Sequence, residues 1–176
     1  MKIRNHNRII IIGNGGSGKS YLAKNLSAIT GLPLVHLDNE FWQPGWVKTP
    51  KEEWIDKQKN MIKEETWIID GNYNSTMELR YEAADLVIFL DINRLVCIIS
   101  ALKRHGKKRS DLPEYLEEKL DSEFIGFCKL IWDFHRAGKR SILALHGRYP
   151  DIPFMVIKRR KEVNKLLKTW KNDSYS

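Results

Sequence analysis

Residues 11–26 read IIGNGGSGKSYLAKNL: the end of a β-branched run, a glycine-rich turn, then an amphipathic stretch. Ile9 to Ile12 contains no polar residue, the pattern of a strand covered on both faces of a parallel sheet. From Lys19 the apolar residues recur at helical spacing, Leu22, Leu26 and Ile29, until Gly31 and Pro33 stop the pattern. Between the two lies Gly13-Asn14-Gly15-Gly16-Ser17-Gly18-Lys19-Ser20, which satisfies GxxxxGK[ST] in full.

That spacing has a physical reason. Glycines accept dihedrals that other residues resist, so successive amide N–H groups can point inward around phosphate oxygens. The helix beginning near Lys19 adds the positive end of its dipole. Lys19 can bridge the terminal phosphates of a nucleoside triphosphate, and the Ser20 hydroxyl suits Mg²⁺. Gly13, Gly15, Gly16, Ser17, Gly18, Lys19, Ser20 and Tyr21 are therefore the expected phosphate-binding residues. An accidental match in a chain this long has odds on the order of one in a hundred. Here the match also has the strand before it and the helix after it that the motif requires.

The rest of the composition sets broad bounds. At 176 residues the chain is read as one domain spanning 1–176. Hydrophobic content of 42% and charged content of 30% exclude a disordered or fibrous protein. A net charge of +8 favours anionic partners: nucleotides, nucleic acid or phosphorylated metabolites. Cys97 and Cys128 lie in apolar neighbourhoods without metal-ligand spacing and read as free thiols. No apolar run is long enough for a membrane span or signal-peptide core, so the expected location is the cytoplasm.

Along the chain, short apolar runs alternate with amphipathic ones. Leu34 to Leu37 reads as a second strand ending at Asp38, and Pro50 opens a helix carrying Trp54, Gln58 and Met61. Trp67 to Ile69 is a third strand ending at Asp70, and Leu86 to Leu90 a fourth ending at Asp91. A helix from Asn93 to about Arg104 runs into the cationic stretch KRHGKKR, residues 103 to 109. Asp111, Pro113 and Glu114 have capping-box spacing, and the stripe Leu116, Leu120, Phe124, Phe127, Ile131, Phe134 predicts a long helix breaking at Gly138. Ser141 to His146 fits strand or helix, with helix preferred; Phe154 to Ile157 is a fifth strand and Val163 to Trp170 a closing helix. Strands alternating with helices imply a parallel sheet with helices on both faces, whose ligands bind beyond the carboxyl ends of the strands. Asp38, Asp70 and Asp91 would share that rim with the glycine turn.

With the glycine turn before a helix and WIIDGNY (67–73) at the third strand, the chain resembles the nucleoside-monophosphate-kinase-like P-loop group. VHLDNEFWQPGW (35–46), IIDGNYNSTMELR (68–80) and EFIGFCKLIWDF (123–134) are similar to the bacterial adenylate-kinase-related proteins labelled DNA topology modulation proteins. The resemblance implies an α/β three-layer P-loop NTPase fold. Its sheet would have five parallel strands in the order 2-3-1-4-5, with helices on both faces and a helical lid. It implies ATP and Mg²⁺ as ligands, an acceptor-binding segment at about 38–65 and a lid at about 104–148. No substrate follows from it, because the label describes a cellular effect. The chain departs from adenylate kinases where Asn72-Tyr73 replaces their Phe-Pro-Arg, with Arg80 the nearest substitute. Of their two arginines after the fourth strand, only the second finds a match, Arg104; Ser100 stands at the first position. Both departures argue against plain AMP as acceptor.

Several residues carry two readings. Asp70 suits a carboxylate that holds Mg²⁺ through water, beside Ser20, or a solvated turn residue. Asp38 suits a group that orients or deprotonates an acceptor hydroxyl, or a turn cap. Trp42 and Trp46, within the aromatic stretch 41–46, suit stacking on a planar acceptor or packing under a loop. Arg104, Arg109, Arg136, Arg140 and Arg148 are candidates to neutralise the transferring phosphoryl group. The run at 103–109 also suits a solvated helix end or a nucleic-acid backbone patch, the patch only weakly because no aromatics interleave its charges. Trp132 and Phe134 are expected to pack in the core or lid, and the five histidines receive no role. The leading expectation is ATP-dependent phosphoryl transfer to a small nucleotide-like or hydroxyl acceptor. The alternative is a nucleic-acid-associated ATP-binding protein without kinase activity.

Overall fold

The computed structural model describes residues 3–104 and 122–172. The elements are β1 (Arg8–Gly13), α1 (Lys19–Thr30), β2 (Leu34–His36), α2 (Leu37–Phe41), β3 (Trp42–Gln43), β4 (Val47–Lys48) and α3 (Lys51–Met61). There follow β5 (Trp67–Asp70), α4 (Met77–Ala83), β6 (Leu86–Leu90), α5 (Arg94–Arg104), α6 (Ser122–Asp133), α7 (Gly138–Arg148), β7 (Phe154–Ile157) and α8 (Arg160–Asn172). The main sheet has the order β2-β5-β1-β6-β7, all parallel. That is the expected order once the two hairpin strands are left out of the count.

The layering follows from the period of two along each strand. Ile9 and Ile11 of β1 join Ile68, Leu86, Ile88 and Leu90 on one face, under Leu22 and Leu26 of α1, Cys97 of α5, Ile131 of α6 and Trp170 of α8. Ile10 and Ile12 join Trp67, Ile69, Val87 and Phe89 on the other, under Trp54 of α3, Met77 and Tyr81 of α4 and Ile142 of α7. A strand apolar at every position is what a sheet buried on both faces demands. Removing one of these side chains, Leu26 for instance, is expected to cost about 2–5 kcal/mol.

The structure corrects some boundaries. The second strand stops at His36; Leu37 turns inward as the first residue of α2 and is fully buried. The aromatic stretch is an antiparallel hairpin, Trp42 opposite Lys48, whose turn holds Gly45 and Trp46 at positive φ. The long helix ends at Asp133, and Phe134 falls in the turn before α7, its ring against Gly138. A Cβ at Gly138 would stand 2.4 Å from that ring. Residues 141–146 lie inside the helix α7, as preferred. The capping-box residues Asp111 and Glu114, with Pro113, Leu116, Leu120 and Arg109, lie outside the described residues.

Candidate functional site

The carboxyl ends of β1, β2, β5 and β6 form one rim, and the glycine turn crosses it between β1 and α1. Two glycines in the turn have backbone reasons. Gly16 sits at φ +71, and a Cβ there would lie 2.3 Å from the Cys97 carbonyl oxygen of α5. Gly18 caps α1 at φ 100 with open space around it, so the dihedral alone selects glycine.

Side chains brace the turn from several elements. Asn72 brackets Gly13: its Oδ1 accepts the Gly13 N–H at 2.9 Å and its Nδ2 donates to the Gly13 carbonyl at 2.7 Å. Asn14 Nδ2 donates to the Ile131 carbonyl of α6 at 2.8 Å, and Phe127 of α6 lies against Gly15. Arg160, the first residue of α8, donates from Nη2 to the Gly16 carbonyl at 2.6 Å. Lys19 Nζ donates to the Asn14 carbonyl at 3.1 Å. The Ser17 hydroxyl is buried with no partner among the described residues. Ser20 is half-buried in the first turn of α1, and Tyr21 is exposed. Burial pushes the Cys97 thiol up to about 11, so it stays protonated beneath the turn.

On the rim, Asp70 is the last residue of β5 and is buried. Its Oδ2 lies 2.9 Å from His36 Nδ1, and its Oδ1 has no partner among the described residues. Asp91, one residue past β6, pairs with Lys139 of α7 at 2.6 Å. Asp38 is exposed in the first turn of α2 and accepts the Tyr73 hydroxyl at 2.8 Å; it makes no cap, since His36 is the N-cap and no side chain caps the helix. Burial and the Asp38 carboxylate hold the Tyr73 phenol above its usual range.

Arg80 lies in α4 and is 1% exposed. Its Nη2 donates to the Asn72 carbonyl and, at 3.5 Å, to that of Tyr73, a non-glycine residue at φ 43. Nε and Nη1 have no partner among the described residues. Desolvation lowers the guanidinium to about 9, so at neutral pH a positive charge is buried here. Tyr73 packs at a tilt against Phe41 and Trp54, and Trp42 meets Trp46 edge-on at 5.4 Å. These aromatics form one group beside Asp38.

The expected lid arginines are less gathered. Arg104 ends α5 half-buried, whereas Arg136 and Arg140 are exposed. Arg148 ends α7 in an exposed ion pair with Glu78. Trp132 is 44% exposed, with the Arg94 guanidinium 3.7 Å above its ring, so it is a surface cation–π partner and not a core residue. Sequence reasoning missed His36, Asn72, Tyr73, Lys139 and Arg160. Asn72 and Tyr73 directly follow the Asp-Gly pair, a usable signal; nothing local marks Arg160, 144 residues from Gly16.

The side chains suit a magnesium nucleotide: one lysine, the Ser20 hydroxyl, and buried Ser17 and Asp70 oxygens that lack partners among the described residues. Among the described residues no cluster of His, Cys, Asp and Glu has the form of a dedicated metal cage, and no helix is long and apolar enough to cross a membrane.

No family model matches the chain, and no curated protein matches it. Solved structures do. A shikimate kinase from Acinetobacter baumannii in complex with shikimate superposes with TM-score 0.62 at 10% identity, over 99% of this chain and 98% of that one. A gluconokinase from Sinorhizobium meliloti 1021 gives TM-score 0.56 at 11% identity, over 96% and 91%. A shikimate kinase from Bacteroides thetaiotaomicron gives 0.54 at 15%, over 97% and 99%. The likeness is one of fold: an α/β architecture with helices around a five-stranded parallel sheet.

Proposed function

We propose that the protein is an ATP-dependent phosphotransferase acting on a small hydroxyl or nucleotide-like acceptor. The observation that carries this is the complete phosphate turn braced on the same rim as Asp70, whose Oδ1 is buried without a partner. The kinase-like fold supports it. So does the resemblance of residues 35–46, 68–80 and 123–134 to the DNA topology modulation proteins, a family to which we assign the chain on this reading.

Lys19 and the turn amides after Gly13, whose own N–H is held by Asn72, bind and orient the phosphates, and Gly15 closes against Phe127 to exclude water. Ser20 and, through water, Asp70 would hold Mg²⁺, which when bound would supply charge neutralisation to the phosphates. Asp38, already hydrogen-bonded to Tyr73, orients the acceptor hydroxyl and takes its proton. The acceptor lies between the aromatic group, with Trp42 and Trp46, and the buried Arg80 cation. Arg104, Arg109, Arg136 and Arg140 remain the candidates to cover the transferring group. Positioning and charge carry most of the rate.

The test is acceptor-stimulated ADP formation measured across polyols, hydroxy acids, nucleosides and nucleotides. The reading expects one class to raise ADP formation at least tenfold above hydrolysis; water as sole acceptor throughout would sink it. With that acceptor, Arg80→Met is expected to raise KM about 10–100-fold, because the Asn72 and Tyr73 carbonyls beside the acceptor lose the guanidinium that holds them. Stability is expected to change by less than about 1 kcal/mol, because relief of a desolvated charge offsets the bond lost to Asn72.

One observation favours the nucleic-acid reading. Residues 158–172 carry seven cations against the single acid Glu162, so +6 of the +8 excess lies on α8 and the two residues before it. Beside it, Arg4, Tyr21, Asn25, Asn164, Lys168 and Lys171 line an open cleft of about 600 Å³ between α1 and α8. On that reading, single-stranded oligonucleotides bind with steep salt dependence, and Lys168→Glu with Lys171→Glu weakens them. Absence of binding at physiological ionic strength, with turnover on a small acceptor, discards it.

A further inference from the structure

Asp70 is fixed on both sides by backbone. It pairs with Ile11 of β1 and with His36 of β2, and the next amide, Gly71 N–H, donates to the Ile11 carbonyl at 3.2 Å. Its remaining freedom is in its own side-chain torsions, and His36 removes that. The imidazole Nδ1 lies 2.9 Å from Oδ2, with side-chain exposures of 12% and 5% for the two residues. A carboxylate only accepts hydrogen bonds, so the proton between them sits on Nδ1.

Two atoms are then left over. Asp70 Oδ1 and His36 Nε2 are both buried without a partner among the described residues. In the neutral ring Nε2 is an acceptor, as Oδ1 always is for the carboxylate. Buried polar atoms are otherwise nearly always paired. What completes an acceptor is a donor, and a hydrated divalent cation presents donors in its coordinated waters. Mg²⁺ sheds water reluctantly and keeps several such ligands.

We propose that His36 is a positioning residue: its Nδ1–H, held on Asp70 Oδ2, leaves Oδ1 as the carboxylate oxygen open to the water shell of the cation that accompanies the nucleotide. This rests on the nucleotide reading of the glycine turn. Asp70 without His36 still carries its charge but not one orientation. Outer-shell partners of this kind change metal affinity by about 10–100-fold when removed.

The experiment titrates ATP into the full chain by calorimetry, once in EDTA and then at stepped Mg²⁺ concentrations, beside thermal melting. His36→Asn places an amide N–H where Nδ1 stands; His36→Gln places it one bond farther out. The expected result is EDTA-arm affinity equal within about twofold for wild type, Asn and Gln. The Mg²⁺ concentration giving half the gain in affinity is expected to rise roughly 10–100-fold in His36→Gln and to stay near wild type in His36→Asn. A structural role alone would lower melting temperature and EDTA-arm affinity together. Wild-type Mg²⁺ dependence in His36→Gln, equal loss in both variants, or no effect of Asp70→Asn would overturn the proposal. Failure of the wild type to bind ATP in either arm would instead overturn the nucleotide reading beneath it.

Discussion

Lys19→Ala is expected to lower phosphoryl transfer by about 10²–10³-fold, the usual cost of removing one preorganised charge donor. Lys19 is the first residue of α1, and its ammonium now rests 3.1 Å from the Asn14 carbonyl within the turn. It can exchange that carbonyl for phosphate oxygens without any movement of the helix. Alanine is the best helix former, so the substitution is expected to keep the melting temperature close to wild type. Initial-rate kinetics with ATP and the stimulating acceptor, beside a thermal melt, separate the two effects. Lys19→Arg is expected to recover little, because a planar fork does not replace a compact point charge.

Gly16→Ala is expected to act on the scaffold as well as the ligand. A methyl group at φ +71 would be driven to 2.3 Å from the Cys97 carbonyl oxygen, and that atom is helix backbone, unable to swing aside. The Gly16 carbonyl is also held by Arg160 at 2.6 Å, so the turn cannot easily rotate to escape. The expected cost is at least about 3 kcal/mol, with nucleotide binding lost. Gly18→Ala is the comparison. Its φ is 100 but nothing lies within 4 Å of the added carbon, so the cost is backbone strain of about 1–3 kcal/mol. Denaturant unfolding of the three proteins with an unchanged slope checks the ranking.

What could be read from the chain was what local pattern encodes. Ile9 to Ile12 and Leu86 to Leu90 are apolar at every position because both faces of those strands are covered, and this alone implies helices on both sides. The glycine turn is contiguous, so its residues announce themselves together. The hairpin at 42–48 was missed because two-residue strands are too short to show alternation, although Pro44-Gly45 marked its turn. The helix end at Asp133 was missed because Phe134 continues the apolar spacing while packing on Gly138 from outside the helix. The bracing of the site was the least legible part. His36 meets Asp70 across 34 positions only because β2 neighbours β5, and Arg160 reaches Gly16 only because α8 packs beside α1. Such pairs exist in the strand order and helix packing, not in any stretch of sequence.

The central claim is that the turn from Gly13 to Ser20 holds the phosphates of ATP. Equilibrium titration of the full chain with ATP and Mg²⁺, in wild type and in Lys19→Ala, tests it most directly. The account predicts one ATP bound per chain, with affinity weakened at least tenfold in Lys19→Ala while the melting temperature holds. ATP binding that ignores Lys19→Ala, or no binding by a folded wild-type protein, would contradict it.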